Sequence, residues 1–158
     1  FQGGGYGLAV LSKFPILETH VHRLPDGAEP RVVLEVVTQP GGTGKKLSFA
    51  SIHLDWTKEK FRMAQMKVLE EKLAPRKHPV VLAGDFNAEP GSGAMTFVSE
   101  HWSVVPKTGN RFTHSATEPR IEIDYVVTRG LGEGASCRVV DEKVASDHRP
   151  LVSVIPWP

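Results

Sequence analysis

A short apolar segment, residues 80–83 (VVLA), does most to limit the folds open to this chain. Every side chain in it is apolar, so a strand formed here must be covered on both faces. It follows residues 58–74, whose apolar side chains recur at helical spacing until Pro75, and a residue before proline is biased away from helix. A helix leading into a doubly covered strand indicates sheets flanked by helices, and it disfavours a helix bundle or a sandwich without helices.

Other segments have the composition of strands. Residues 31–39 are rich in β-branched side chains and residues 47–54 alternate, so together they predict a hairpin whose second strand ends near His53. The remaining predicted elements are strands at residues 7–12, 121–128, 135–140 and 151–155, and a short helix at residues 92–99.

The predicted helix at residues 58–74 carries one apolar face. We expect this face to belong to the core and not to a partner groove. Arg62 and Gln65 lie near its edge and are candidates to support a loop of a functional site. The residues expected on the apolar face are Phe61, Ala64, Val68, Leu69 and Leu73.

Length and composition bound the classes of protein. A chain of 158 residues, 40% apolar and 23% charged, suits one ordinary globular domain. A net charge of +1 gives no general attraction for a polyanion. The single cysteine, Cys137, excludes an intrachain disulfide and a cysteine-rich zinc site. No apolar stretch is long enough to span a bilayer, and the composition fits either a cytoplasmic or an exported protein.

Polar residues follow the apolar strand at 80–83 directly, in Gly84-Asp85-Phe86-Asn87. Alternate residues of an extended segment point the same way, so Asp85 and Asn87 are expected to converge while Phe86 packs behind them. Carboxylate and amide oxygens are suited to Mg²⁺. The alternative is an ordinary turn, since Gly-Asp and Asn-Ala are common in loops.

Other candidate acid–base groups occur near strand ends. Asp124 lies inside an apolar strand, where a carboxylate needs a cation or an imidazolium partner. Asp147 and His148 are neighbours, so on a strand they face opposite ways and each is expected to find a different partner. The alternatives are a half-buried structural His53, an outward-facing Asp124 and a capping Asp147 beside a surface His148. For His114 an ordinary loop position is favoured over a contact with substrate.

Taken together, these motifs resemble the endonuclease/exonuclease/phosphatase superfamily, which has the DNase I-like fold. The GDFN and SDH elements with IDY between them are specific for the superfamily, but not for one member. The resemblance implies an α+β fold, a four-layer α/β/β/α sandwich of two mixed sheets, in one domain over residues 1–158. The matching segments are residues 6–16 (YGLAVLSKFPI), 51–56 (SIHLDW), 80–95 (VVLAGDFNAEPGSGAM), 120–128 (RIEIDYVVT) and 146–152 (SDHRPLV).

The resemblance also implies a phosphoesterase in which an activated water attacks phosphorus in line. His53 matches the histidine that contacts the phosphate and aids the leaving group. Asp85 matches the carboxylate near the attacking water, and Asn87 matches the amide that orients water or phosphate. Asp124 matches the acid that pairs with a histidine, here His148, which binds and polarises the phosphate. These five residues are the predicted catalytic set.

The implied cofactor is Mg²⁺ (or Mn²⁺), with Asp147, Asp85 and Asn87 as metal ligands. In the family, an asparagine and a glutamate upstream of the segment at residues 6–16 provide principal metal contacts, and this chain begins too late to contain them. We therefore expect the chain to correspond to the C-terminal two-thirds of such a domain.

Two functions remain in competition from sequence. The first is a metal-dependent phosphoesterase acting as a monomer on nucleic acid, a lipid head group or a small phosphodiester. The near-neutral charge disfavours a strong duplex-DNA binder, because phosphate contacts rely on Lys and Arg. The second is a non-catalytic binding module or an inactive fragment of such a domain.

Overall fold

The computed structural model describes residues 6–42 and 44–157 of the chain. These residues form nine strands, two α-helices and a 3₁₀ turn at Pro40–Gly42. The strands are β1 (Ile16–Arg23), β2 (Val32–Thr38), β3 (Leu47–His53), β4 (Val80–Asp85), β5 (Ser103–Val104), β6 (Lys107–Thr108), β7 (Asp124–Arg129), β8 (Ser136–Val139) and β9 (Leu151–Val154), and the helices are α1 (Glu59–Leu73) and α2 (Gly93–His101).

The strands form two mixed sheets. The larger has the order β1-β2-β3-β4-β7-β5, and the smaller has the order β6-β8-β9. In the larger sheet only β3 and β4 are parallel, and α1 connects them along the chain. The predicted hairpin of the second and third strands is confirmed, as is the strand–helix–strand unit.

Both helices cover one face of the larger sheet. Met66 and Leu69 of α1 and Val98 of α2 share a buried cluster with Ile52 and Leu82 of that sheet. The smaller sheet covers the opposite face, where residues of β4, β7 and β8 form a second cluster centred on Val81, Val126 and Cys137. The predicted α+β sandwich of two mixed sheets is confirmed.

Strand β4 shows why an entirely apolar segment is needed. Val80 and Leu82 are fully buried on the helical side, whereas Val81 and Ala83 pack in the cluster against the smaller sheet. Since both faces of β4 are covered, no position of residues 80–83 is open to a polar side chain.

One expected strand was wrong, and one observed strand was not predicted. Residues 7–12 form no strand and are largely exposed, because no described strand pairs with them and a strand needs a hydrogen-bonded neighbour. The first strand is instead β1, an edge strand whose side chains are mostly exposed. It escaped prediction because an edge strand with an exposed face needs no apolar run.

The buried face of α1 differs slightly from the predicted apolar face. Ala64 is exposed, whereas Gln65 and Met66 are buried with Leu69 and Leu73. The buried stripe therefore includes a polar residue, which hydropathy could not indicate. Among the described residues, neither helix is long and apolar enough to cross a membrane.

Candidate active site

Strand register places three predicted residues in a row. His53 is the partner of Asp85 across the parallel pair β3–β4, and Asp85 is the partner of Asp124 across the antiparallel pair β4–β7. Since β3 and β4 end where β7 begins, all three side chains lie at one edge of the larger sheet. The sheet itself therefore assembles the centre of the site.

Asp85 stands at the middle of this row. Its Oδ2 lies 3.4 Å from Nε2 of His53 and 3.9 Å from Nε2 of His148. Burial, followed by the negative charge of Asp124, raises the pKa of Asp85 to about 6. The carboxyl group can therefore exchange a proton near neutral pH.

His148 is oriented by a carboxylate. Its Nδ1 lies 2.8 Å from Oδ2 of Asp124, and because a carboxylate only accepts, Nδ1 carries the proton and donates it. This hydrogen bond raises the pKa of His148 above its ordinary value. The other ring nitrogen, Nε2, is the one on the side of Asp85.

The segment after β4 brings Asn87 beside Asp85, but this segment is not the extended one that was expected. Asn87 has a φ of 49°, so the segment turns and is not extended. Its backbone N–H donates to Oδ1 of Asp85 at 2.7 Å, and its Nδ2 donates to the carbonyl of Leu54 at 2.9 Å. Phe86 is fully buried and packs edge-on against Tyr125, as expected for the opposite side.

Asp147 and His148 lie in a loop and not on a strand, so the expectation that they face opposite ways does not apply. Each offers a ligand atom within 4.8 Å of one on the other and of one on His114. His148 does find a separate partner in Asp124, and Asp147 is exposed at the rim.

All six predicted residues line one open cavity of about 670 Å³. The cavity walls also include five polar or aromatic residues outside the predicted catalytic and metal set. Sequence favoured an ordinary loop position for His114, but the structure places it on the wall. The predicted residues are His53, Asp85, Asn87, Asp124, Asp147 and His148, and the added ones are Tyr6, Glu29, Arg31, Trp56 and His114.

The added residues Tyr6 and Arg31 surround His53. The hydroxyl of Tyr6 lies 3.0 Å from Nδ1 of His53, and the buried guanidinium of Arg31 pairs with Glu29 at 2.9 Å. Burial, followed by the positive charges of Arg31 and His148, lowers the pKa of His53. No local sequence signal marks Arg31, because a charged residue at the start of a strand is ordinary.

A buried polar network supports the loop that follows His53. Oε1 of the fully buried Gln65 accepts from the backbone N–H of Asp55, and its Nε2 donates to the carbonyl of Pro25. Arg62 donates to the carbonyl of Asp55 at 3.1 Å. Arg62 and Gln65 thus hold the loop beside the site, which is the supporting role that the sequence suggested for them.

Carboxylates and imidazoles in this cavity lie close enough to share a cation. One group comprises Asp85, Asp124 and His148, and a second comprises His114, Asp147 and His148, each with ligand atoms within 4.8 Å of one another. The first group is dominated by oxygen donors, as hard divalent cations require.

The model of the Endonuclease/Exonuclease/phosphatase family matches residues 1–148. A comparison with curated protein sequences found no match.

Solved structures share the fold. A mannosyl-6-phosphatase from Bacteroides thetaiotaomicron is 18% identical with a TM-score of 0.74, over 92% of this chain and 68% of its own. Sphingomyelinase C from Streptomyces griseocarneus is 22% identical with a TM-score of 0.70, over 90% and 65%. A mutant beta toxin from Staphylococcus aureus with bound magnesium ions is 18% identical with a TM-score of 0.71, over 92% and 66%. The chain thus spans about two thirds of the length of these structures.

Proposed function

This chain belongs to the endonuclease/exonuclease/phosphatase family, and from that premise we propose that it is a divalent-metal-dependent hydrolase of phosphate esters. The observation that carries the proposal is the register row of His53, Asp85 and Asp124, with His148 bonded to Asp124 over the same cavity. A carboxylate between two imidazoles supplies a base and two phosphate contacts in one place.

Asp85 is the proposed base. Its pKa of about 6 lets the carboxylate exist at neutral pH and still accept a proton from an attacking water. The backbone N–H of Asn87 fixes Oδ1 of Asp85, so Oδ2 is the oxygen turned toward the imidazoles. The amide of Asn87, held by the carbonyl of Leu54, orients the water or the phosphate.

The two imidazoles are the proposed phosphate contacts. Asp124 favours the charged form of His148, and an imidazolium stabilises the negative charge that develops on phosphate oxygens. The lowered pKa of His53 favours the neutral ring, whose single N–H donates toward the phosphate and the leaving oxygen.

The donor set fits a divalent cation. Asp85 and Asp124 are cross-strand partners, and the negative charge of Asp124 helps to raise the pKa of Asp85; a cation relieves such a pair. We propose Asp85, Asn87 and Asp147 as ligands of Mg²⁺ or Mn²⁺, which when bound would supply charge neutralisation and an acidified water. In the structure the donor atoms within 4.8 Å of one another are those of Asp85, Asp124 and His148, and Asp147 groups instead with His114 and His148. A neighbour of this fold holds magnesium ions.

The proposed substrate is a phosphodiester or a phosphomonoester that reaches the open cavity. One neighbour is named a phosphatase and another a sphingomyelinase, so both ester classes belong in the test. The second candidate function is a non-catalytic binding module that holds a phosphate ester in the same open cavity.

The test is hydrolysis of bis-p-nitrophenyl phosphate and p-nitrophenyl phosphate with Mg²⁺, Mn²⁺ or EDTA. We expect metal-dependent turnover that Asp85→Asn lowers by about 100-fold or more. Asp26→Asn is the matched control, because Asp26 is an exposed carboxylate that pairs with Arg23 at 3.6 Å. Full turnover in EDTA or in Asp85→Asn would overturn the proposal, and no turnover from folded wild type would favour the binding module.

A further inference from the structure

His114 occupies a place in the cavity that the proposed hydrolysis does not use. Its backbone is bridged to Ile121 on one side and to His148 on the other. The carbonyl of His114 accepts from the N–H groups of Arg120 and Ile121 at 2.9 and 3.1 Å. His114 is therefore fixed between the segment that leads to Asp124 and the loop that carries His148.

The two loops that meet here are joined by strong hydrogen bonds. The N–H of Arg149 donates to the carbonyl of Thr113, and the N–H of Ala116 donates to the carbonyl of Asp147, both at 2.7 Å. Nε of Arg149 also donates to the carbonyl of Ala116 at 2.8 Å. These hydrogen bonds thus hold the backbones under His114, Asp147 and His148 together.

The side chains of three residues on these two loops converge. A nitrogen of His114, a nitrogen of His148 and a carboxylate oxygen of Asp147 lie within 4.8 Å of one another, and the two rings have centroids 4.8 Å apart. Because Asp124 engages Nδ1 of His148, Nε2 is the nitrogen left for a ligand. A histidine whose second nitrogen is bonded to a carboxylate is the usual arrangement of a metal-bound histidine.

We propose that His114, Asp147 and His148 form a transition-metal site with two nitrogen donors and one oxygen donor, selective for Zn²⁺ over Mg²⁺. Imidazole suits Zn²⁺, whereas Mg²⁺ takes oxygen donors. Zn²⁺ holds its ligand atoms roughly 3.3 Å apart, so donors that lie within 4.8 Å of one another must draw together when the ion binds. Three protein ligands leave the fourth position open, as in catalytic zinc sites.

This site lies in the cavity of the proposed function but goes beyond it, because the metal binding does not depend on hydrolysis. Nε2 of His148 cannot donate to a phosphate and bind a metal at the same time, and Asp147 cannot serve this site and the proposed Mg²⁺ ligand set together. The two roles are therefore alternatives, and an experiment on metal binding alone separates them.

The experiment is a titration of the full chain with Co²⁺, a spectroscopic substitute for Zn²⁺, followed by visible absorption. We expect one equivalent to give the intense bands of nitrogen-containing, low-coordinate Co²⁺, resistant to excess Mg²⁺ and displaced by Zn²⁺. His114→Gln should weaken binding by about tenfold or more. His20→Gln is the control and should match wild type, because His20 lies on β1 and contacts Glu18.

Further measurements test the metal site independently of how the His114→Gln variant folds. If His114→Gln does not fold, X-ray absorption spectroscopy of the wild-type chain loaded with one equivalent of Co²⁺ counts the coordinated imidazoles: two support the site, and none or one overturns it. Unchanged Co²⁺ spectra in folded His114→Gln, or displacement by Mg²⁺, also overturn it. Asp85→Asn should lose hydrolysis and keep the Co²⁺ bands, so failure of the proposed function and failure of this site give different results.

Discussion

Asp124 and His148, 24 residues apart in the chain, are joined by a 2.8 Å hydrogen bond from Nδ1 to Oδ2. Asp124 also belongs to the register row with Asp85, so a single carboxylate ties the loop that carries His148 to the edge of the larger sheet. The bond fixes both the orientation of the imidazole and its charge.

Asp124→Asn is predicted to lower the pKa of His148. The amide keeps the shape of the carboxylate but removes the negative charge that stabilises the imidazolium, and the hydrogen bond that His148 donates to Asp124 is the largest cause of the raised pKa. We expect an NMR titration of the metal-free chain to show His148 losing its proton at lower pH than in wild type. Turnover at neutral pH should fall about tenfold or more.

Asp26→Asn again serves as the control, and it should leave the titration of His148 unchanged because Asp26 is exposed, pairs with Arg23 and is not among the charges that shift the pKa of His148. An unshifted His148 pKa in Asp124→Asn would contradict the role given to the bond.

Gln65→Leu is predicted to loosen the wall of the cavity. The substitution leaves the N–H of Asp55 and the carbonyl of Pro25 without their partner, which costs about 2 kcal/mol or more in the free energy of unfolding. Oδ2 of Asp55 also accepts from Ala28 at 2.8 Å, so the disturbance reaches the segment before Glu29. We expect kcat/KM to fall at temperatures where the variant is still folded.

The matched control is Gln39→Leu, because the side chain of Gln39 makes an exposed contact with the carbonyl of Gly44. Urea denaturation and kinetics on both variants separate the two effects. Wild-type kcat/KM in folded Gln65→Leu would show that the network serves stability alone.

The sequence predicted those site residues whose positions follow from strand ends. Asp85 stands directly after an apolar segment, and His53 ends an alternating one, so local patterns fix both near a sheet edge. Asp124 could be predicted as a polar residue in an apolar segment, although the structure places it at the first position of β7. In each case the signal is local and the sheet register completes it.

The residues that escaped prediction owe their positions to contacts between distant segments. Arg31 and His114 reach the cavity through the paths of two loops, and nothing in their neighbours specifies those paths. Asn87 lies on the cavity side, as predicted. Its left-handed backbone turns it there, whereas the prediction relied on strand alternation. Such features depend on the whole fold.

Glu35 anchors a second buried polar network, away from the cavity. Its side chain is fully buried and accepts from Ser48 at 2.6 Å, from His22 at 2.7 Å and from two nitrogens of Arg76 at 2.8 Å each. Burial alone would raise the pKa of Glu35, but these hydrogen bonds outweigh it and lower the pKa to about 2. The network joins β1, β2 and β3 to the segment after α1.

Glu35 is therefore predicted to make the free energy of unfolding fall as the pH is lowered. A carboxylate whose folded pKa lies near 2, below an unfolded value of 4.5, contributes about 3 kcal/mol above the unfolded pKa. That contribution is fully present above about pH 4.5 and is lost as pH falls toward 2. Glu35→Gln should be less stable than wild type at neutral pH, with the difference shrinking across that window.

Urea denaturation of wild type, Glu35→Gln and Glu118→Gln at several pH values measures this window. Glu118 is an exposed carboxylate paired with Arg120, so its variant should follow the wild-type curve. A stability difference between wild type and Glu35→Gln that stays constant down to low pH would refute the assignment.

Gly84→Ala is predicted to destabilise the protein by disrupting the pairing of β3 and β4 beside the site. Gly84 has a φ of +144°, and a Cβ there would lie 2.0 Å from the carbonyl oxygen of Ile52, its register partner on β3. Only glycine permits the close approach that sets His53 beside Asp85. We expect a loss of about 3 kcal/mol or more in the free energy of unfolding, against no comparable loss in Gly132→Ala, where a Cβ meets nothing within 4 Å. Equal unfolding midpoints for the two variants in urea would show that β3 and β4 can separate here without cost.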